Sequence, residues 1–135
     1  MIREALLDML RFHKFNRGKE LIEEHGNPDD ANDFEFIYKY SPLHNIRLTK
    51  GVQWPSTLLM TGGHDDRVSP LHTLKYIAEL YHFLKTEAAD WQKNPVLGRI
   101  DVSEKDEEDP HGKMISEIVD MYCFLQRTLG MEWKD

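Results

Sequence analysis

The chain has 135 residues, 40% hydrophobic and 30% charged, which bounds it to one modest globular domain and argues against global disorder. With 24 acidic residues against 17 basic ones and no Lys/Arg stripe, nucleic acid and anionic membrane are excluded as main partners. No apolar run reaches the length of a bilayer, Arg3, Glu4, Asp8 and Arg11 interrupt the N-terminal apolar residues, and Cys123 is the single cysteine, so neither signal peptide, anchor nor internal disulfide is expected and a reducing, cytoplasmic setting fits.

Residues 3 to 13 scatter Ala5, Leu6, Met9, Leu10 and Phe12 among charges, a pattern open to a helix or to the ragged start of something longer. Asp29 or Asp30 as a cap, Phe34, Ile37 and Tyr38 as an apolar face and Pro42 as a stop predict a short helix at about 30 to 40. PSTLLMTG, from Pro55 to Gly62, is a compact apolar run closed by glycine, as expected of a parallel strand buried on both faces, at 56 to 61. After the loop HDDRVSP, Pro70 opens a long amphipathic helix that repeats Leu71, Leu74, Ile77, Leu80 or Tyr81, and Leu84. VLGRIDV predicts a second strand at about 96 to 102, followed by the acidic loop SEKDEEDP. A final helix from Lys113 to about Thr128 spaces Ile115, Ile118, Val119 and Tyr122 at helical intervals, with Gly130 as its stop.

Strand, loop, helix, strand, loop, helix is a pair of βα units, an α/β pattern of parallel strands alternating with helices that cover both faces of the sheet. Functional groups on such sheets gather at the carboxyl ends of the strands, here the loops HDDR at 64 to 67 and DPHG at 109 to 112. One offers carboxylates at Asp65 and Asp66, the next a histidine at His111. A carboxylate that orients an imidazole and stabilises its cation is half of a hydrolytic triad, and the order acid then base calls for a nucleophile earlier in the chain. None is present: Ser41, Ser56, Ser69, Ser103 and Ser116 all lie outside a Gly-x-Ser-x-Gly elbow, and Cys123 sits in mid-helix, where a small buried thiol is the ordinary reading. From pattern alone, Asp65 and Asp66 also fit a turn after a strand, His111 a surface histidine, and Arg67 a salt-bridging loop residue. His64, Asp65, Asp66 and His72 form a weaker metal pattern, without a helical His-x-x-x-His or a cysteine pair.

Several runs resemble the prolyl oligopeptidase family: LDMLRFHKF at 7 to 15, YKYSPLHNI at 38 to 46, WPSTLLMTGGHDDRVSPLHTLKYIA at 54 to 78 and the C-terminal IVDMYCFLQRTLGMEW. The resemblance implies the C-terminal portion of an α/β-hydrolase fold over residues 1–135, with the nucleophile-bearing part and a β-propeller lying before Met1. It implies that Asp65 is the triad acid, His111 the general base, Arg67 the contact for substrate carbonyl groups, and Val68 and Leu6 walls of the pocket for the substrate proline. It calls for no cofactor and no metal. Its partners would be short peptide substrates and the N-terminal portion of the catalytic domain.

Departures from the family pattern bear on specificity. Where the family has an aromatic run of the form GHAWTTDYG, this chain has GKELIEEHG, so Leu21 replaces a tryptophan that stacks on the substrate proline and His25 replaces a tyrosine. Pro110 stands where a glycine usually precedes the base, with Asp109 placed to cap the last helix. The acidic run Glu104 to Asp109 is expected to favour the imidazolium of His111. Two other functions stay open on these residues: a noncatalytic truncated isoform or interaction module, and a related esterase or acyl-peptide hydrolase with a retuned pocket.

Overall fold

The computed structural model describes residues 1–63, 67–101 and 110–132, with side chains for all of these except that of Pro110. Its frame is a three-stranded parallel sheet in the order β1 (Ile2–Arg3), β2 (Thr57–Gly62), β3 (Val96–Asp101). The register sets Ile2 beside Leu59 and Arg3 beside Met60, and runs from Thr57 beside Val96 to Gly62 beside Asp101. The helices are α1 (Ile22–His25), α2 (Ala31–Tyr40), α3 (Pro70–Glu87) and α4 (Pro110–Leu129), with 3-10 turns at Phe12–Lys14, Gly18–Leu21 and Pro42–His44.

Alternation along the strands decides which helix covers which face. Leu59 and its neighbour Gly98 face α3, which packs so closely that a Cβ on Gly98 would lie 2.7 Å from Ile77 Cδ1. Leu59, Val96, Tyr76, Leu80, Leu7 and Ile46 form the buried core on this side. Arg99, one residue further along β3, faces α4 instead and donates from Nε to Asp120 Oδ2 at 2.6 Å. The expectation of helices on both faces is therefore met. β2, central and covered on both sides, is buried from Thr57 to Thr61, as its unbroken apolar run requires.

Sequence boundaries shift by small amounts. Asp30 caps α2 by accepting from Asn32 N at 2.8 Å, while Asp29 turns aside to His13 Nε2 and Lys14 Nζ, at 3.0 and 3.1 Å. Ser69 caps α3 by accepting from Leu71 N at 3.3 Å, with Pro70 at the first helical position. The last helix begins at Pro110, three residues before the expected Lys113, because proline fits the first turn of a helix, where its missing N–H has no partner to lose. Asp109, the expected cap, lies outside the described residues.

Residues 3 to 13, ambiguous by pattern, are not a helix. They enter as a short strand, turn, and close in a 3-10 turn whose Phe12 is fully buried with Met9 and Ile37. Gly18 makes this possible: a Cβ there would stand 1.8 Å from Phe12 O, inside the carbonyl. A second reason for the irregular path is Asp8, fully buried. Its carboxylate pairs with Lys75 of α3 and with Arg11 Nη1 at 3.4 Å, and stands 3.9 Å from His44 Nε2. Its own N–H donates to His72 Nδ1 at 3.0 Å, and the N–H of Met9 donates to Ser41 Oγ at 3.1 Å. A buried charge persists only when it is paired, and this one joins the N-terminal segment, the 3-10 turn at Pro42–His44 and the first two turns of α3. Burial pushes the Asp8 carboxyl up, but the hydrogen bond and charge of Lys75, aided by Arg11 and His44, outweigh it and hold it below the usual carboxylate range. Burial lowers His72 to about 4, against the opposing pull of Asp8.

Candidate functional site

The carboxyl ends of three parallel strands lie side by side, and every residue singled out for function except His72 follows one of them. β2 and β3 are paired to their last residues, Gly62 beside Asp101, and Gly63 N extends the ladder by donating to Asp101 O at 2.5 Å. The loop with Asp65 and Arg67 and the segment leading to His111 therefore leave the sheet from adjacent positions. β1 ends at the same edge, so Glu4 and Leu6 emerge beside them. Asp65, with His64, Asp66 and the acidic run Glu104 to Asp109, lies outside the described residues.

Arg67 is well exposed, 76% for its side chain, and its Nη2 lies 3.2 Å from Glu4 Oε2. Val68 is half-buried immediately before the cap of α3. Leu6 is half-buried against the cluster of Met9, Phe12 and Ile37, and Leu21 packs on that same cluster. Leu6 and Leu21 thus share one apolar surface. His25, another departure from the family pattern, sets its ring edge-on to Phe12 at 5.7 Å. A tryptophan at position 21 would present a flat aromatic face here; leucine leaves only an aliphatic one.

His111 is exposed in the first turn of α4. What fixes that turn over the strand ends is a ladder of charges on the α4 face of the sheet. Arg3 Nη2 meets Glu117 Oε2 at 3.1 Å, Arg99 Nη1 meets Glu117 Oε1 at 3.5 Å and Asp101 Oδ2 at 3.8 Å, and Lys113 Nζ meets Asp101 Oδ2 at 3.8 Å. Glu117 and Asp101 side chains are each only 13% exposed, so these contacts sit where water screens them less than on an open surface. Nothing in the sequence marked this ladder, since Arg99 and Glu117 stand 18 positions apart on different elements; only the β3–α4 register brings them together.

Of the residues in the metal pattern, His72 alone is described; His64, Asp65 and Asp66 lie outside the described residues. His72 is buried, accepts the N–H of Asp8 on Nδ1 and packs edge-on to Phe15 at 5.1 Å, so its ring belongs to the core. Among the described residues no group of three or more histidines, cysteines or carboxylates is disposed to hold a metal. Cys123 is exposed, contrary to the buried thiol expected, because α4 turns much of its length to solvent. Met114, Ile115, Ile118, Val119 and Tyr122 form an apolar stripe on α4 that the described residues leave exposed. No helix among the described residues is long and apolar enough to cross a membrane.

The model of the prolyl oligopeptidase family matches residues 1–132. Prolyl oligopeptidase A of Amanita bisporigera is 39% identical over 97% of this chain and 16% of its own length. A prolyl oligopeptidase of Dendrothele bispora is 44% identical over 94% of this chain and 17% of its own length. The chain thus spans about a sixth of the length of the curated relatives it matches. Among solved structures, a mutant of prolyl oligopeptidase B from Galerina marginata, bound to a 35mer hydrolysis and macrocyclization substrate, superposes with a TM-score of 0.82 at 36% identity. That match covers 98% of this chain and 18% of that one. The α/β-hydrolase expectation holds: a parallel sheet flanked by helices, shared with these structures.

Proposed function

The chain belongs to the prolyl oligopeptidase family of serine peptidases, and we propose that it supplies the acid and base of the catalytic triad, with the nucleophile contributed by residues outside it. In this reading residues 1–135 are the C-terminal part of the catalytic domain of an endopeptidase that cleaves short peptides after proline. Asp65 orients His111, His111 takes the proton of an attacking serine and returns it to the leaving amine, and Arg67 docks substrate carbonyl oxygens. Val68, Leu6 and Leu21 line the pocket for the cleaved residue. The observation that carries the reading is the pairing of β2 and β3 up to Gly62 and Asp101, which launches the Asp65 and His111 segments from neighbouring strand ends. The apolar stripe on α4 and the edge position of β1 in the sheet support a partner surface for the remainder of the catalytic domain. The single cysteine supports a cytoplasmic setting.

The alternative of a noncatalytic product shares the same residues and differs in activity alone. Two forms separate them: the 135-residue chain by itself, and a form extended upstream to include a serine nucleophile. The isolated chain is expected to hydrolyse no proline-containing peptide, and the extended form is expected to cleave. Turnover by the isolated chain that disappears in His111→Ala would place the nucleophile inside residues 1–135 and overturn the proposal. An extended form without turnover would favour the noncatalytic reading. Equal rates on substrates with proline and alanine at the cleaved position would show that Leu21 has retuned the pocket.

A further inference from the structure

His72 is buried and takes no part in the triad chemistry proposed for this edge; its ring closes a frame instead. At one end of the frame β1 pairs with β2, Ile2 beside Leu59, and Glu4 N donates to Met60 O at 3.1 Å. The chain then leaves both strands, and the two segments meet again where Asp8 N donates to His72 Nδ1 at 3.0 Å, across 64 positions. Leu6 stands two residues before that contact on one side and Val68 four residues before it on the other, both half-buried. In its irregular segment the Asp8 N–H has no ladder or helix to receive it, and a buried N–H without an acceptor is costly. An acceptor on α3 is what permits this path.

The surroundings hold the ring still. Phe15 meets it edge-on at 5.1 Å, and Lys75, whose Nζ lies 5.7 Å from the Phe15 ring centroid, pairs with the Asp8 carboxylate. On the α3 side, His72 N donates to Ser69 O at 3.1 Å and Ser69 caps the helix, so Val68 stands directly before a closed turn. An accepting Nδ1 requires the ring proton on Nε2, and the burial that lowers His72 to about 4 keeps the ring neutral at neutral pH.

We infer that His72 is a positioning residue for the cleaved-residue pocket: by accepting the Asp8 N–H it sets the spacing between the Leu6 wall and the Val68 wall, and through that spacing the preference for a proline ring over a smaller residue. The inference deepens the proposed pocket and rests on it. A pyrrolidine ring that touches both walls loses roughly a quarter of its dispersion contact with one of them when that wall retreats by about 0.5 Å. An alanine methyl that does not span the walls loses little.

The test uses the nucleophile-containing form and two peptides that differ only in proline or alanine at the cleaved position. His72→Leu keeps a buried apolar side chain but removes the acceptor. It is expected to raise KM for the proline peptide by about threefold or more, with KM for the alanine peptide and both kcat values within about twofold, as for lost uniform binding. His72→Asn, whose Oδ1 offers an acceptor where Nδ1 stands, is expected to restore the wild-type KM ratio. His72→Gln carries its amide one bond further, is expected to behave as His72→Leu does, and covers the case in which the Leu variant folds poorly. An unchanged KM ratio in the Leu and Gln variants overturns the inference, even where kcat falls equally for both peptides, since that marks lost stability alone. A ratio that falls as far in His72→Asn overturns it too. A wild type with equal KM for both peptides would sink the proline pocket and this role with it, whereas a selective wild type whose ratio ignores His72→Leu would sink only the role of His72.

Discussion

Asp8→Asn isolates the buried charge that holds the N-terminal segment to α3. The carboxylate has no exposed surface and faces Lys75, Arg11 at 3.4 Å and His44 at 3.9 Å. Asparagine preserves the shape and one acceptor oxygen but leaves Lys75, whose side chain is 35% exposed, without its counter-charge. Breaking one partner of a buried pair costs about 3 kcal/mol or more. With an unfolding entropy of about 2.1 cal/mol/K per residue, this chain loses roughly 10 °C of Tm for that energy. Thermal and urea unfolding at neutral pH measure it. The partner variant Lys75→Met is informative in a cycle: the double variant should be less destabilised than the sum of the two by about 1 kcal/mol or more, since the second change removes an orphaned charge. An Asp8→Asn variant within about 0.5 kcal/mol of wild type, or strict additivity in the cycle, refutes the pairing as the reason this segment is irregular.

Burial holds His72 at about 4 in the folded chain against an ordinary 6.5, so between these values the unfolded state binds more protons. The stability that His72 protects is therefore complete above about pH 6.5 and declines as pH falls towards 4, by roughly 3 kcal/mol across the window; urea midpoints at pH 7.5 and 4.5, compared with those of His72→Gln, read this directly. A variant with the same pH slope as wild type contradicts it. Gly18→Ala places a Cβ 1.8 Å from Phe12 O and is expected to lower stability by more than about 2 kcal/mol, since neither neighbour is a flexible side-chain tip. Glu117→Gln removes the charge shared by Arg3 and Arg99; a loss of about 1 to 2 kcal/mol, with faster amide exchange in the first two turns of α4 than in α3, is the expected result, and unchanged exchange there would show that the ladder does not hold the helix.

Much of this fold is visible in the order of the residues. The apolar run at 57 to 62, the proline-led helix from Pro70 and the stripe of Ile115, Ile118, Val119 and Tyr122 each carry a period or a punctuation that local chemistry dictates. The N-terminal segment carried neither, because its conformation is set by contacts 32 to 67 positions away, Ser41 to Met9, His72 and Lys75 to Asp8. Periodicity cannot report such pairings. The same holds at the strand ends. HDDR and His111 stand out as residue types, while Glu4 and the ladder Arg3–Glu117–Arg99–Asp101–Lys113 acquire meaning only from the register of three strands and α4. Cys123 departs from its expected burial for a related reason: mid-helix position indicates burial only if both sides of the helix are covered, and among the described residues α4 is covered on one.

The most direct measurement is the turnover of His111→Ala in the nucleophile-containing form, on a peptide with proline at the cleaved position. If His111 is the general base, kcat falls by about a thousandfold or more while KM changes little, and Asp65→Asn gives a loss of comparable order through the tautomer it leaves unfixed. A His111→Ala enzyme that keeps its rate to within about tenfold would contradict the assignment and move the base elsewhere.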